Sequence, residues 1–164
     1  MTKAVIFDLD GTLVNLPIDY DALFQKFSKI MKTSKIHPLT TTISRLDEKT
    51  KMEVFKVWER VELEAFENMT NNEEGIEQYE RSLKKPKALV TMQGRVLAKK
   101  AVEQLNLSFD TIVTRENSLN RTEQLEIAAK NLDVLTNEVL FVGNTDEDAN
   151  AARKINCQFL RIGK

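Results

Sequence analysis

One cysteine and one histidine in 164 residues remove several chemistries at the outset. Cys157 has no partner for an intrachain disulfide or a cysteine-rich zinc cluster, and its apolar neighbours predict a packed thiol. His37 precedes Pro38 in a polar stretch, which predicts a loop or surface position, and any Ser-His-Asp chemistry would depend entirely on it. Net charge is also scarce: 24 basic residues against 25 acidic ones leave no overall field to recruit nucleic acid or an anionic membrane. Apolar runs of membrane-spanning length are missing, and the first residues lead into a strand pattern ending at Asp8 rather than into a signal sequence. A cytoplasmic location is the expectation.

What the chain does have is a rhythm of short apolar runs. Ala4–Phe7, Ala88–Val90, Thr111–Val113, Val139–Val142 and Phe159–Ile162 are separated, after the second run, by stretches with helical spacing such as Val96, Leu97, Ala101, Val102 and Leu105. Strands alternating with helices predict an α/β fold with a doubly wound, mostly parallel sheet, in which ligands bind beyond the carboxyl ends of the strands. Asp8, Asp10, Thr91, Thr114 and Asn144 all fall at or just past such ends.

Residues 16–85 break the rhythm, being too long for one crossover and lacking strand patterns, so they read as a helical insertion between 1–15 and 86–164. Leu23, Phe24, Phe27 and Ile30 share one face of a predicted helix over Tyr20–Met31. Met52, Phe55, Trp58, Val61, Leu63, Ala65 and Phe66 predict a longer helix buried around much of its circumference. Asn71-Asn72 and Gly75 are expected to interrupt the next helix, and Lys84-Lys85-Pro86-Lys87 to form a solvated boundary on return to the sheet.

The most informative stretch is Asp8-Leu9-Asp10-Gly11-Thr12. Two acids on alternate positions at a strand end repel one another, and each needs water, a cation or a hydrogen-bond donor. A hard cation such as Mg²⁺, which prefers oxygen ligands, would relieve that repulsion. An Asp-rich turn capping the following segment is the other reading of the same residues. Thr91 likewise stands either as an anion-binding hydroxyl beside backbone N–H groups at a helix start or as a solvated helix cap. Arg95, in the same turn, is read as a phosphate ligand or a surface cation.

With these motifs in hand, the sequence resembles the haloacid dehalogenase superfamily, and most closely its phosphatase branch with a helical cap after the first strand. Phe7–Val14 matches the family's first motif, Val90-Thr91 its second, Arg121 stands near its third-motif lysine, and Val142–Asp148 resembles its fourth. The resemblance covers nearly the whole chain and implies a Rossmann-like core with an inserted small α-helical cap. It also implies a Mg²⁺-dependent phosphomonoester hydrolase acting on a small phosphorylated metabolite. Asp8 would be the nucleophile that forms an aspartyl-phosphate, and Asp10 the proton carrier. Thr91, Met92 and Arg121 would hold the phosphoryl group, and Asp8, Asp10, Asn144 and Asp148 the metal.

Two positions depart from the family pattern. The third motif usually carries lysine, whereas Asn120-Arg121-Thr122 offers a guanidinium, a planar fork in place of a compact ammonium. The fourth usually begins Gly-Asp, and here it reads Gly143-Asn144, whose amide oxygen can ligate Mg²⁺ without contributing charge. Weaker metal affinity is expected, with Asp146 or Glu147 as compensating acids or as a favourable charge at a helix start. These departures keep open a phosphate-binding protein without turnover. A metal-independent 2-haloacid dehalogenase also remains, although Asp10 argues against it, because halide departure needs no proton donor. The sequence is silent on oligomeric state.

Overall fold

A computed structural model describes residues 1–163. Five parallel strands form its central sheet: β1 (Ala4–Phe7), β4 (Lys87–Val90), β5 (Thr111–Val113), β6 (Val139–Gly143) and β7 (Gln158–Arg161). Their spatial order is β5-β4-β1-β6-β7, so β1 lies in the middle and the strand order reverses there. The crevice at such a reversal opens beyond the carboxyl end of β1.

All four residues of β1 are buried because both sheet faces are covered. Val5 and Phe7 face a cluster with Leu97, Ala98 and Ala101 of helix α5 (Arg95–Leu105). Ala4 and Ile6 face Leu125 and Ala128 of α6 (Arg121–Asn131) and Ala151 and Ala152 of α7 (Asp146–Lys154). Burying a side chain such as Phe7 contributes about 1.5–3 kcal/mol, so the strand that carries Asp8 is anchored from both sides.

Between β1 and β4 the chain forms a small hairpin, β2 (Val14–Asn15) paired antiparallel with β3 (Thr70–Asn71). Helices α1 (Tyr20–Met31), α2 (Leu39–Ser44) and α3 (Glu48–Phe66) lie between the hairpin strands and share a core of Leu23, Phe27, Ile36, Ile43, Val54 and Trp58. Asp19 starts α1 by accepting the Ala22 N–H at 3.1 Å, and Asp47 starts α3 by accepting that of Thr50 at 3.3 Å. Helix α4 (Glu73–Arg81) packs elsewhere: its Tyr79 enters the sheet core, 6.0 Å from the Phe7 ring and 5.6 Å from that of Phe109. Residues 16–85 therefore contain two kinds of packing, α1, α2 and the first part of α3 around their own core, and the end of α3 with α4 against the sheet core.

Three local expectations are corrected. Helix α3 buries a single stripe, Val54, Trp58, Glu62 and Ala65, while Met52 is 58% exposed, so its burial is one-sided and includes an acid. Gly75 does not interrupt α4; it sits inside the helix, where a Cβ would come 1.7 Å from the Thr12 carbonyl oxygen. Lys87 is buried rather than solvated, its Nζ donating to the carbonyls of Ser82, Leu83 and Lys85 at the end of α4 and lying over the Tyr79 ring.

Candidate active site

The first motif leaves β1 through a tight turn. Asp8 donates its N–H to the Val142 carbonyl at 3.0 Å, and Gly11 adopts φ of +81°, a conformation that favours glycine. Clearance matters there too: a Cβ on Gly11 would lie 2.1 Å from Nδ2 of Asn144. Asp8 is 5% exposed, and burial pushes its carboxyl up to about 7 against the lowering pull of Arg121. Asp10 is raised by burial as well, opposed by the Leu16 N–H, which donates to its Oδ1 at 2.9 Å. The Tyr20 hydroxyl of α1 lies 3.5 Å from the other Asp10 oxygen.

Arg121, first residue of α6, reaches into this turn. Its Nη2 donates to Asp8 Oδ1 at 3.3 Å, its Nε to Asp148 Oδ1 at 3.0 Å and its Nη1 to Gln124 Oε1 at 2.7 Å. The guanidinium thus serves three partners from three different nitrogens in one plane, a spread that the single nitrogen of an ammonium does not have. Asp148 is 1% exposed, and its Oδ2 accepts the N–H groups of Asn144 and Thr145 at 3.1 and 3.3 Å. Gly143 gives it room, because a Cβ there would stand 2.7 Å from that oxygen. The Asn144 amide oxygen accepts from the Thr12 hydroxyl at 3.3 Å.

Thr91 is 1% exposed, and the residue that caps α5 is Gly94 rather than Thr91, so the solvated-cap alternative does not apply. Its Oγ1 accepts the Gln93 N–H at 3.0 Å, which leaves its hydroxyl proton free to donate elsewhere. Gln124 ties the second motif to the third by donating to the carbonyls of Thr91 and Ser118, both at 2.9 Å. Met92 offers its carbonyl to Arg115 Nη1 at 3.2 Å.

Other residues singled out from the sequence lie apart from this cluster. Arg95 turns toward the end of β5, bonding the Ile112 carbonyl and the Asn117 side chain. Asp146 is exposed and pairs with Arg161 at 2.7 Å. Glu147 lines a cleft of about 930 Å³ with Ser44, Lys51, Phe55 and Lys154, into which Arg115 and Arg121 also reach. Thr114 is buried and bonds Glu116 Oε1 at 2.7 Å. His37 is exposed, as its polar surroundings predict, and its ring meets that of Phe24 edge-on with 5.0 Å between ring centres.

Glu62, Arg115 and Gln124 were missed as neighbours of the site. The signal for Glu62 was an acid within the apolar stripe of α3; for the other two, far apart along the chain from what they touch, the sequence carried none.

A family model described as haloacid dehalogenase-like hydrolase matches residues 5–162. The chain belongs to that family. Among solved structures, this hydrolase superposes on a haloacid dehalogenase-like family protein from Streptococcus pneumoniae with a TM-score of 0.71 at 20% identity, covering 99% of this chain and 85% of that one. A haloacid dehalogenase-superfamily phosphatase from Thermococcus onnurineus matches with a TM-score of 0.66 and 20% identity over 99% and 86% of the two chains. In sequence, a Clostridium perfringens protein named as the pyrophosphatase PpaX is 25% identical over 174 residues, or 93% of this hydrolase and 80% of that protein.

The oxygen donors around Asp8 can be set against what Mg²⁺ requires. Asp148 is committed to Arg121 and two backbone N–H groups, and no group of three or more acidic, histidine or cysteine side chains is arranged for a metal among the described residues. The Asp8 carboxylate through its Oδ1, which Arg121 occupies on one side only, the Asp10 main-chain carbonyl and the Asn144 amide oxygen remain. Mg²⁺ commonly binds through one or two carboxylates and completes its octahedron with water and substrate phosphate, so this set fits a weakly held ion.

Proposed function

We propose that this hydrolase is a phosphatase that cleaves the phosphomonoester of a small metabolite through an aspartyl-phosphate on Asp8. The observation that carries the reading is the pairing of two distinct carboxyls: Asp8 buried against Arg121, and Asp10 two residues on, held by Leu16 and Tyr20. Halide displacement has no use for the second. The phosphatase and pyrophosphatase names of the Thermococcus and Clostridium proteins support phosphoryl chemistry. We place the reaction in the cytoplasm.

Arg121 binds one Asp8 oxygen and leaves Oδ2 to attack phosphorus. The phosphorus–ester oxygen bond breaks as Asp10, in its acid form, protonates the departing oxygen. Asp10, now a carboxylate, takes a proton from water as that water attacks the phosphorus. The bond to Asp8 breaks, and inorganic phosphate leaves. Thr91, with its free hydroxyl proton, and the N–H groups of its turn would bind the equatorial oxygens. Mg²⁺ held by Asp8, the Asp10 carbonyl and Asn144 would supply the positive charge that lets a carboxylate approach a phosphate dianion.

A screen of sugar phosphates, nucleotides and phosphorylated acids with Mg²⁺ tests the reading, with Asp8→Asn as the control. Phosphate release that needs Mg²⁺ and disappears in the variant is expected, and release that survives Asp8→Asn refutes it. The uncharged Asn144 favours one second reading, a phosphate-binding protein without turnover, whose signature is calorimetric binding of phosphate with no hydrolysis across the panel.

A further inference from the structure

Glu62 and Arg115 form a fully buried ion pair, Nη1 to Oε2 at 2.6 Å, outside the reacting set described above. Glu62 belongs to the inserted helix α3, and Arg115 lies two residues beyond β5. Their remaining bonds converge on a third element, the turn after Thr91. Both Glu62 oxygens lie 3.2 Å from the Gly94 nitrogen and accept its N–H, while Arg115 donates to the Met92 carbonyl at 3.2 Å. The guanidinium lies 4.3 Å from the Trp58 ring centre and 5.2 Å from that of Phe55, and also donates to the Phe55 carbonyl at 3.4 Å. A Cβ on Gly94 would meet Arg115 Nη2 at 2.8 Å, so the turn closes tightly on the pair.

Two charges removed from water are a poor means of gluing helices together, because desolvation offsets much of their attraction and an apolar pair of similar volume would hold α3 as well. The charges add direction. One backbone N–H and one backbone carbonyl of the turn each receive a fixed, charge-assisted partner from opposite sides.

We infer that Glu62 and Arg115 are positioning residues that make α3 a structural part of the Thr91–Gly94 turn, so that phosphate held there and the seating of the inserted helices are coupled. The inference rests on the phosphate site proposed above, though not on turnover.

Inorganic phosphate is therefore the probe. In the unaltered protein it is expected to slow amide exchange in residues 91–95 and, through the pair, in residues 55–62 of α3, because coupling between sites is reciprocal. Protection confined to the turn overturns the inference, as does a failure to bind phosphate. The double variant Glu62→Gln, Arg115→Met removes both charges at once and avoids a lone buried ion. Its melting temperature is expected to stay near that of the unaltered protein, while the phosphate Kd and the KM for p-nitrophenyl phosphate rise by about tenfold to a hundredfold, the scale of a small misplacement of binding groups. A merely structural tie would return Kd and KM to their original values along with stability, and that result sinks the proposal. Should the variant not fold, the exchange experiment decides. Phosphate protection reaching α3 in a protein that hydrolyses nothing would refute the hydrolytic reading alone and uphold the coupling.

Discussion

Gly75 in α4 stands so close to Thr12 that a Cβ would fall 1.7 Å from the Thr12 carbonyl oxygen and 3.3 Å from Leu13 Cα. Glycine within a helix is ordinarily less favourable than alanine, by up to about 1 kcal/mol in the interior, and Gly75 stands in the first turn of α4. Here its absent side chain lets α4 press directly on the turn that carries Asp8 and Asp10, with Asn72 Nδ2 donating to the Gly11 carbonyl at 3.2 Å alongside.

Gly75→Ala should therefore destabilise despite the gain in helix propensity, by roughly 2 kcal/mol, the scale of overpacking a tight core. Urea unfolding measures this, and phosphatase activity should fall as well because the turn must shift. An unchanged or higher midpoint would mean that α4 can slide away at no expense.

Asp8 trades stability for reactivity. Burial raises its carboxyl to about 7, so its ionised form at neutral pH is held in surroundings that resist charge. Asp8→Asn keeps an oxygen for Arg121 while removing the buried charge, and in chelator at neutral pH it should melt several degrees above the unaltered protein while losing turnover. A lower melting temperature would show that the Arg121 contact outweighs desolvation.

Asn144→Asp would place a carboxylate beside Asp8, where the Asn144 amide oxygen now accepts from Thr12. Calorimetric titration should find Mg²⁺ bound at least tenfold more tightly, since charge dominates binding of a hard cation. In chelator the same variant should be less stable, because a further acid joins Asp8, Asp10 and Asp148 with Arg121 as their nearby cation. Unaltered Mg²⁺ affinity would place Asn144 outside the metal's ligands.

The Cys157 thiol is pushed up to about 11 by burial alone. A raised thiol value lowers the reactive thiolate fraction at every pH below it. Alkylation by iodoacetamide should thus be slow at pH 7 and rise by about tenfold per pH unit through pH 9 without a plateau. Fast labelling at pH 7 would mean that the β7 edge opens readily.

The five strands of the central sheet and α1 were legible because each depends on a local pattern, short apolar runs and an amphipathic stretch, whereas the two-residue strands β2 and β3 were not, β3 lying in a segment expected to lack strands. Helix α3 was legible as a helix, but its buried face was misread. Met52 counts as apolar in any periodicity, yet it points to solvent, while Glu62 is buried because Arg115, 53 residues along the chain, is there to meet it. Lys87 was misread for the same reason, its charge being absorbed by three carbonyls at the end of α4.

The parallel α/β sheet and the family were readable from local composition and from motifs at strand ends. Tertiary structure alone decided how charge is distributed around Asp8. Arg121 is bound to Asp8 and Asp148 at once, Asp148 also accepts the Asn144 N–H, Asn144 lies on the Gly11 turn, and Glu62 with Arg115 holds the turn after Thr91. Most of these contacts join side chains far apart along the chain, up to 132 residues between Thr12 and Asn144, and no local pattern carries that information.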